Sequence, residues 1–321
     1  MNIPIGREDI AKVFENAVNS SKLCQTYIIH APEGMGKKTV FKYIASLILC
    51  ADFSSCGKCP SCKSLLTMSH PDMVELKRDP DKASIGVENV RDIKAEVYTR
   101  PVMSDYKVVA VYEAHLATVA AQNAMLKMIE EPPDKVVFFL LCDTLSPILS
   151  TVLSRAVVIE LKPLCEDDMK RIFSSSAQSF EISLASGNPG KLIKLKEDLG
   201  YMALRDEVID AFSYLTSDDS FSPYVVAERL DKIKENKDKI LSILLSFARD
   251  AYLRKIGLDK DIANKDKINY IDTFCAPLTD KACYKIWEHI INTEKDKGKN
   301  GNLSIALTLL MLKCRSEMTK K

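Results

Sequence analysis

The sequence predicts an α/β fold in its first half, a parallel sheet covered by helices, followed by an all-helical second half. Two observations predict this class. Short β-rich segments alternate with segments of helical apolar spacing up to about residue 162, and after Pro163 the β-rich segments stop. Alternation of this kind with continuously apolar strands is typical of a parallel sheet whose two faces are both buried.

Five segments have the composition of strands, at residues 25–30, 72–77, 107–112, 136–142 and 157–161. Apolar residues at helical spacing predict helices at residues 37–50, 87–99 and 117–131. Pro132 and Pro133 end the last of these, because proline cannot continue a helix. Beyond about residue 201 we expect helices to the end, with polar breaks near residues 217–222, 259–266 and 293–302.

Length and charge exclude several classes of protein. A chain of 321 residues exceeds one compact core, and its changes of pattern predict domains at 1–162, 163–200 and 201–321. A formal net charge of +1 is not that of a strongly basic nucleic-acid binder. No apolar segment approaches the ~20 residues that span a bilayer. The first ten residues lack the apolar core of a signal peptide, so we expect a cytoplasmic protein.

Residues 31–39 have the pattern of a phosphate-binding loop between a strand and a helix. They read Ala-Pro-Glu-Gly-Met-Gly-Lys-Lys-Thr, and the Walker A positions are filled by Gly34, Gly36 and Lys37. The glycines let backbone N–H groups surround phosphate oxygens, and the lysine reaches the outer phosphates. Lys38 stands where a hydroxyl that holds Mg²⁺ is expected, and Thr39 is one residue late, rotated by about 100°. We therefore expect a degenerate site that cradles phosphates without metal-assisted hydrolysis.

The strand at residues 107–112 leads to the second part of the expected nucleotide site. In nucleotide hydrolases this strand ends in two acids, of which the first holds Mg²⁺ through water and the second polarises the attacking water. Here the first position is Tyr112, a phenol that is neutral at pH 7, and the second is Glu113. Two independent losses at the same ion favour a chain that does not hydrolyse ATP by itself.

Four of the ten cysteines lie within residues 50–62 and predict a structural zinc site. They are Cys50, Cys56, Cys59 and Cys62. Short C-x-x-C spacings present two sulfurs to one ion, and four thiolates complete tetrahedral Zn²⁺. The alternative is a redox dithiol or reduced surface cysteines, but a redox motif needs only one pair. The other six cysteines fall in apolar contexts and are expected to be buried thiols.

Three further segments complete the pattern. Residues 123–133 read NAMLKMIEEPP, residues 70–72 read HPD, and residues 85–91 read IGVENVR. Together with the phosphate loop, the cysteines and the last apolar segment, they resemble the clamp-loader branch of the AAA+ proteins in the same order. The resemblance covers nearly the whole chain and is weakest over about residues 200–300. Its most specific part is the proline-ended helix in combination with the cysteine module.

The resemblance implies an AAA+ P-loop-type domain with a zinc insertion, a small helical lid and an all-helical collar that mediates ring assembly. It implies a pentameric ring that loads a sliding clamp onto primed DNA. The implied partners are the gamma/tau ATPase and delta subunits, the clamp and primed DNA, with no membrane. The family's Ser-Arg-Cys motif supplies an arginine finger to a neighbour's ATP site, and Ser154-Arg155-Ala156 matches it with the arginine kept. Where ATPase members have a phosphate-sensing arginine, this chain has Gly190.

Two other functions stay open. A working ATPase of the gamma/tau type shares the cysteine module and the proline-ended helix, although its phosphate loop and acidic pair are expected to be intact. A purely structural zinc scaffold would take no part in ATP chemistry.

A DNA contact is expected, if anywhere, at the start of the helix at residues 87–99. Helix N-termini bind phosphates through their backbone N–H groups, and this helix carries Asn89, Arg91 and Lys94. A solvated basic face of an amphipathic helix explains the same residues.

Overall fold

The computed structural model describes residues 1–67, 69–217, 219–233, 237–296 and 303–319. The last predicted polar break, at residues 293–302, lies partly outside the described residues, and its first part is helical as far as Asp296. The chain forms two compact units. One contains Met1–Ser174 and Asn188–Gly190, and the other contains Ser175–Gly187 and Lys191–Lys321. The division into three domains at 1–162, 163–200 and 201–321 stays a prediction.

The first unit is built on five parallel strands in the order β2-β3-β4-β1-β5. The strands are β1 (Thr26–His30), β2 (Met73–Leu76), β3 (Lys107–Val111), β4 (Val136–Cys142) and β5 (Val157–Glu160). All five strands occur where they were predicted, to within one residue at each end. The parallel sheet confirms the predicted α/β class, and its order fits the AAA+ fold that the resemblance implies.

Within the described residues of the first unit, seven α-helices accompany the sheet. They are α1 (Glu8–Asn19), α2 (Lys37–Ile48), α3 (Pro60–Leu66), α4 (Val87–Val97), α5 (Val119–Glu130), α6 (Ser150–Leu153) and α7 (Glu166–Phe173). The predicted helix at 117–131 begins two residues late, because the Thr118 side chain caps α5 by accepting a hydrogen bond from the N–H of Ala121. Helix α1 was not predicted, although its buried Ala11, Phe14 and Val18 have helical spacing.

Both faces of the sheet are buried along β1, β3 and β4, as their apolar sequences predict, whereas the edge strand β5 is largely exposed. Phe139 of β4 packs in a core with residues of α1 and α2, including Phe14 and Phe41. Its neighbour Phe138 belongs to a second core, which contains residues of α4 and α5. Successive side chains of a strand point to opposite faces, so the all-apolar β4 supplies both cores.

The described chain after β5 contains helices and no strand, as predicted. The helices beyond α7 are α8 (Ser179–Ala185), α9 (Pro189–Glu197), α10 (Tyr201–Ser213), α11 (Ser222–Lys232), α12 (Lys237–Lys255), α13 (Ile268–Cys275), α14 (Asp280–Asp296) and α15 (Leu303–Thr319). The helices α10 to α15 share one hydrophobic core, with Phe212, Phe247 and Phe274 in mutual ring contact. No helix within the described ranges combines the length and the apolar character that crossing a bilayer requires.

A buried polar network ties α12 to the segment before α13. The carboxylate of Asp250, which is fully buried, accepts hydrogen bonds from the backbone N–H groups of Ala263 and Asn264 at 3.0 and 2.7 Å. The Asn264 side chain in turn accepts two hydrogen bonds from the buried guanidinium of Arg205, at 3.1 and 2.8 Å. A buried carboxylate is tolerated only when it is paired, so these contacts fix the loop against two helices.

We expect Asp250→Ala to lower the free energy of unfolding of the helical unit by about 3 kcal/mol or more, because two buried N–H groups and Arg249 lose their acceptor. Trp287, the only tryptophan of the chain, packs on the core of this unit, so its fluorescence during denaturant unfolding reports the change. Asp210→Ala, on an exposed position of α10, is the matched control. Equal midpoints for the two variants would contradict the assigned role.

Candidate functional site

The predicted phosphate loop connects the end of β1 at His30 to the start of α2 at Lys37. Gly34 and Gly36 have φ angles of 86° and 85°, in the left-handed region that glycine adopts without strain. The loop therefore has the sequence, the flanking elements and the glycine conformations of a phosphate cradle at a helix N-terminus.

A cavity of about 450 Å³ lies beside this loop in the first unit. It is lined by Glu33, Gly34, Gly36, Lys37, Lys38, Tyr112, Glu113, Leu141 and Asp143. The fold thus brings together four of the five residues that the sequence predicted for a nucleotide site. The fifth, Thr39, is exposed and is not among the described residues that line the cavity.

The ammonium group of Lys37 is surrounded by oxygen atoms of the protein. It donates to the backbone carbonyls of Ala31 and Pro32 at 2.7 and 3.1 Å. It also pairs with the carboxylate of Asp143 at 2.5 Å. Asp143 directly follows β4, as Lys37 follows the loop after β1, so neighbouring strand ends hold the two charges.

Lys38 and Tyr112 occupy the two positions where magnesium ligands were expected, and they contact each other. The Lys38 ammonium lies 5.5 Å from the centre of the Tyr112 ring. The Tyr112 hydroxyl donates to Glu75 at 2.6 Å, and burial, followed by this hydrogen bond, raises the pKa of Tyr112 well above its usual value. An ammonium and a neutral phenol are not ligands that Mg²⁺ uses, so these two positions do not fit the ion.

Glu113 remains at the second acidic position, where it is paired within the protein. Its carboxylate accepts from the Nε of Arg78 at 3.3 Å, and its φ angle is 50°.

Sequence reasoning missed Asp143, Glu75 and Arg78 as members of this cluster. Asp143 carried a usable signal, because it follows a predicted strand and ligands of parallel sheets bind at strand carboxyl ends. Glu75 and Arg78 carried none, since only the packing of β2 beside β3 brings them to Tyr112 and Glu113.

The segment Asn188–Gly190 lies against the phosphate loop within the first unit. The N–H of Gly190 donates to the carbonyl of Gly34 at 2.9 Å, and the Asn188 side chain donates to the carbonyl of Glu33 at 2.8 Å. A Cβ atom on Gly190 would lie 2.5 Å from the Cα of Gly34. A residue with a side chain at position 190 would therefore require the backbone at Gly34 to shift.

Arg155, the predicted arginine finger, follows α6 and lies at the surface. Its guanidinium pairs with Glu130 of α5 at 3.1 Å and donates to the Thr151 carbonyl and to the Ser154 hydroxyl at 3.1 and 3.2 Å. Both charged side chains are about two-fifths exposed. Such exposed pairs contribute only ~0–1 kcal/mol, so Glu130 does not prevent Arg155 from reaching another anion.

The four clustered cysteines converge on one point, and they could hold a metal ion. Their sulfur atoms all lie within 4.8 Å of one another, with Cys50–Cys59 and Cys56–Cys62 separations of 4.0 Å. Sulfurs bound at ~2.3 Å around one tetrahedral ion would be ~3.8 Å apart, so the donor set and its spacing fit a Cys₄ site. Cys59 also caps α3, because its sulfur accepts from the N–H of Cys62 at 3.3 Å.

Burial and local hydrogen bonds act on these thiols in opposite directions. Desolvation raises the pKa of Cys62 to about 12, and the neighbouring sulfurs of Cys59 and Cys50 add to the effect. Desolvation also acts on Cys50, but backbone N–H groups, first that of Cys56, bring its pKa down to about 6. A cluster with all four thiols ionised therefore needs a cation to offset the charge.

The scattered cysteines correct one expectation. Cys142, Cys275, Cys283 and Cys314 are buried, as predicted, whereas Cys24 and Cys165 are exposed. Cys24 lies in the irregular segment before β1 and Cys165 at the N-cap of α7, where no core covers them.

The His-Pro-Asp segment at residues 70–72 fastens the cysteine module to the sheet. The ring Nδ1 of His70 accepts from the N–H of Asp72 at 3.0 Å, and its Nε2 lies 2.7 Å from the Ser61 hydroxyl of α3. The Asp72 carboxylate accepts from the N–H groups of Val102, Met103 and Ser104 at 2.6 to 2.8 Å. These contacts give the segment a structural role.

Of the candidate DNA residues, Asn89 and Arg91 lie in the first half of α4 and Lys94 lies towards its end. Arg91 and Lys94 are exposed, whereas the Asn89 side chain accepts from the N–H of Gly86 at 3.0 Å and so stabilises the helix start. A DNA contact by Asn89, Arg91 and Lys94 stays a prediction.

Two family models match the chain. One, described as "DNA polymerase III, delta subunit", matches residues 6–165, and the other, its C-terminal domain, matches residues 200–315. Among solved structures, a DNA polymerase III gamma subunit-related protein from Thermotoga maritima is similar over 98% of this chain and 99% of its own, with 16% identity and a TM-score of 0.45.

Two curated relatives carry different subunit names. The chain is 29% identical to the DNA polymerase III subunit gamma/tau of Mycoplasma genitalium over 84% of this chain and 42% of that protein. It is 36% identical to the subunit delta' of Yersinia pestis over 40% of this chain and 38% of that protein. The chain therefore spans less than half of the length of either relative.

We expect the pKa of His70 to lie below the usual histidine value of about 6.5, because burial lowers it and Nδ1 must remain an acceptor. The unfolded chain takes up a proton below about pH 6.5 that the folded chain does not, so the free energy of unfolding falls as the pH drops from there towards the lowered folded pKa. An NMR titration of the histidine ring protons, assigned with His70→Asn, measures this pKa. A value at or above 6.5 for His70 would contradict the described network.

Proposed function

Because the chain belongs to the family of DNA polymerase III clamp-loader subunits, we propose that it is a delta-prime-type subunit that assists loading of the sliding clamp without hydrolysing ATP itself. The observation that carries the proposal is the contact of Lys38 with Tyr112 at the two positions where a hydrolase holds magnesium. Phosphoryl transfer depends on that ion to neutralise developing charge, so a site with an ammonium and a phenol there lacks the central electrostatic element.

The chain's contribution to ATP chemistry lies instead at Arg155. An arginine finger must be exposed, positively charged and free to leave any partner on its own subunit. Arg155 meets these conditions, since it lies at the surface and its pair with Glu130 is weak in water. In the assembled ring it would stabilise the transferring phosphoryl group in the site of a neighbouring gamma/tau ATPase.

The other proposed partners follow from the same family. The delta subunit, the sliding clamp and primed DNA would meet the chain in the complex, with the helical region from Tyr201 onward as the collar that assembles the ring. Its described helices share a core of their own and expose Ile305 and Leu309 on α15, the kind of apolar surface that subunit contacts cover.

A gamma/tau-type ATPase is the second candidate, because the similarity to a gamma/tau subunit extends over 84% of the chain. The two functions differ in the isolated protein. Turnover of ATP by the purified chain with Mg²⁺ would favour the gamma/tau type, and its absence together with an effect of Arg155 in the complex favours the delta-prime type.

We expect Arg155→Ala to lower the ATPase rate of a reconstituted loader in the presence of clamp and primed DNA. At the one ATP site that receives the finger, the hydrolysis rate should fall on the order of 10³-fold. The ATPase rate of the whole loader should therefore fall by the fraction that this site contributes. Arg100→Ala, which removes an exposed arginine of the same unit, is the control.

A wild-type rate for Arg155→Ala in the fully assembled loader would exclude the finger. It would leave a structural scaffold as the role of this chain, provided that gel filtration shows the same complex for variant and wild type.

For the cysteine module we propose structural zinc. Four sulfur donors in a closed set favour Zn²⁺ over ions that prefer oxygen ligands. The small α3 segment has little core of its own, so a bound ion would stabilise it. The bound ion would neutralise the thiolates and link the end of α2 to the start of α3.

We expect about one zinc per wild-type chain by mass spectrometry of the purified protein. Cys59→Ser should lose most of the metal and lower the unfolding temperature, because it removes a ligand. Cys24→Ser, which replaces an exposed cysteine outside the module, should retain the metal content and the unfolding temperature of the wild type. Equal zinc contents in these two variants, or none in the wild type, would refute the assignment.

A further inference from the structure

The ammonium group of Lys37 has three N–H donors, and the protein itself supplies three acceptors. They are the carbonyls of Ala31 and Pro32 and the carboxylate of Asp143, at 2.7, 3.1 and 2.5 Å. The lysine side chain is nine-tenths buried, so these acceptors also exclude most of the water around it. In a working cradle the same group reaches the outer phosphates of a nucleotide.

Asp143 is the one acceptor of the three with a negative charge. It follows β4, the neighbour of β1 in the sheet, and lines the same cavity as the phosphate loop. Its carboxylate thus faces the lysine from the cavity side, where an anionic phosphoryl oxygen would bind.

We propose that Asp143 is an internal substitute for a phosphoryl group, which occupies the donors of Lys37 and keeps nucleotides out of the cradle. The inference rests on the proposed function in one respect, that this chain does not turn over ATP. It adds the residue that decides whether a nucleotide binds at all.

The charges around the cavity support this role. Three carboxylates line it, those of Glu33, Glu113 and Asp143, against the ammonium groups of Lys37 and Lys38. Arg78 offsets the charge of Glu113 from outside the lining set. An incoming triphosphate would have to displace Asp143 from Lys37 and then remain beside it, and two like charges a few Å apart in a partly buried site repel strongly.

Contacts within the protein also hold the phosphate loop in place without a bound nucleotide. Gly190 and Asn188 bind the carbonyls of Gly34 and Glu33 from outside, and the Asp143 pair holds Lys37 from inside. The cradle thereby keeps its shape through contacts within the protein, and the pair gives Asp143 a function in the absence of any bound anion.

The test compares wild type, Asp143→Asn and Asp134→Asn in the 321-residue chain, with ATP as the probe in buffer that contains Mg²⁺ and no chelator. Asp143→Asn removes the charge and keeps the shape, while Asp134→Asn removes an equal charge at an exposed position two residues before β4. Binding is measured by calorimetry and by the rise in unfolding temperature. Asp143→Asn should bind ATP about tenfold or more tightly than the other two proteins.

Two further variants keep the result decisive. Adding Lys37→Ala to Asp143→Asn should abolish the gained binding, because the released ammonium is what receives the phosphate. Asp143→Ser repeats the measurement with a small residue in case the amide disturbs folding, which circular dichroism detects. Equal ATP affinity of wild type and both Asp143 variants, whether tight or undetectable, would overturn the inference.

The outcome is separable from that of the proposed function. If Asp143→Asn gains ATP binding and does not hydrolyse ATP, the result supports both the internal substitute and the delta-prime role. If the Asp143 variants bind no better than wild type while Arg155→Ala still slows the loader, the internal substitute is wrong and the delta-prime role stands.

Discussion

The parallel pairing of β1, β3 and β4 is the constraint on which the candidate site depends. Parallel strands bring their carboxyl ends to one edge of the sheet, and there the loop after β1, Tyr112 after β3 and Asp143 after β4 share one cavity. Phe138 and Phe139 of β4 pack in the two cores on opposite faces of the sheet, and this packing holds the central strand in place. The packing of the sheet therefore sets the geometry of the site.

Several charged groups at this edge have partners within the protein. Lys37 pairs with Asp143, Glu113 with Arg78, and Glu75 accepts from Tyr112, whose ring also contacts Lys38. In a nucleotide hydrolase the lysine and the acids serve a magnesium–nucleotide complex instead. The fold thus keeps the shape of a phosphate cradle, while the charged side chains beside it bind partners within the protein. The proposed role in ATP chemistry lies at Arg155, on another part of the surface.

The cysteine module shows how a small segment is secured from two sides. The four sulfurs form one cluster, and the His70 and Asp72 network joins Ser61 of α3 to the backbone near Ser104. The polar groups of this network are buried and satisfied, which fixes one arrangement more sharply than apolar packing alone does. The second unit uses the same device at Asp250, where a buried carboxylate organises the loop before α13.

The sequence by itself determined the strands, the phosphate loop, the cysteine set and the presence of Lys38 and Tyr112 where magnesium ligands were expected, because each is a local pattern along the chain. Strand composition, the glycines at 34 and 36 and the C-x-x-C spacings require no knowledge of distant residues. Only the tertiary structure decided that Asp143 faces Lys37, that Glu75 binds Tyr112 and that Gly190 lies on Gly34. These pairs are separated by between 37 and 156 residues in the chain, and no periodicity links them. Their contacts follow from strand order and from the approach of Asn188–Gly190 to the loop, which are long-range outcomes of packing.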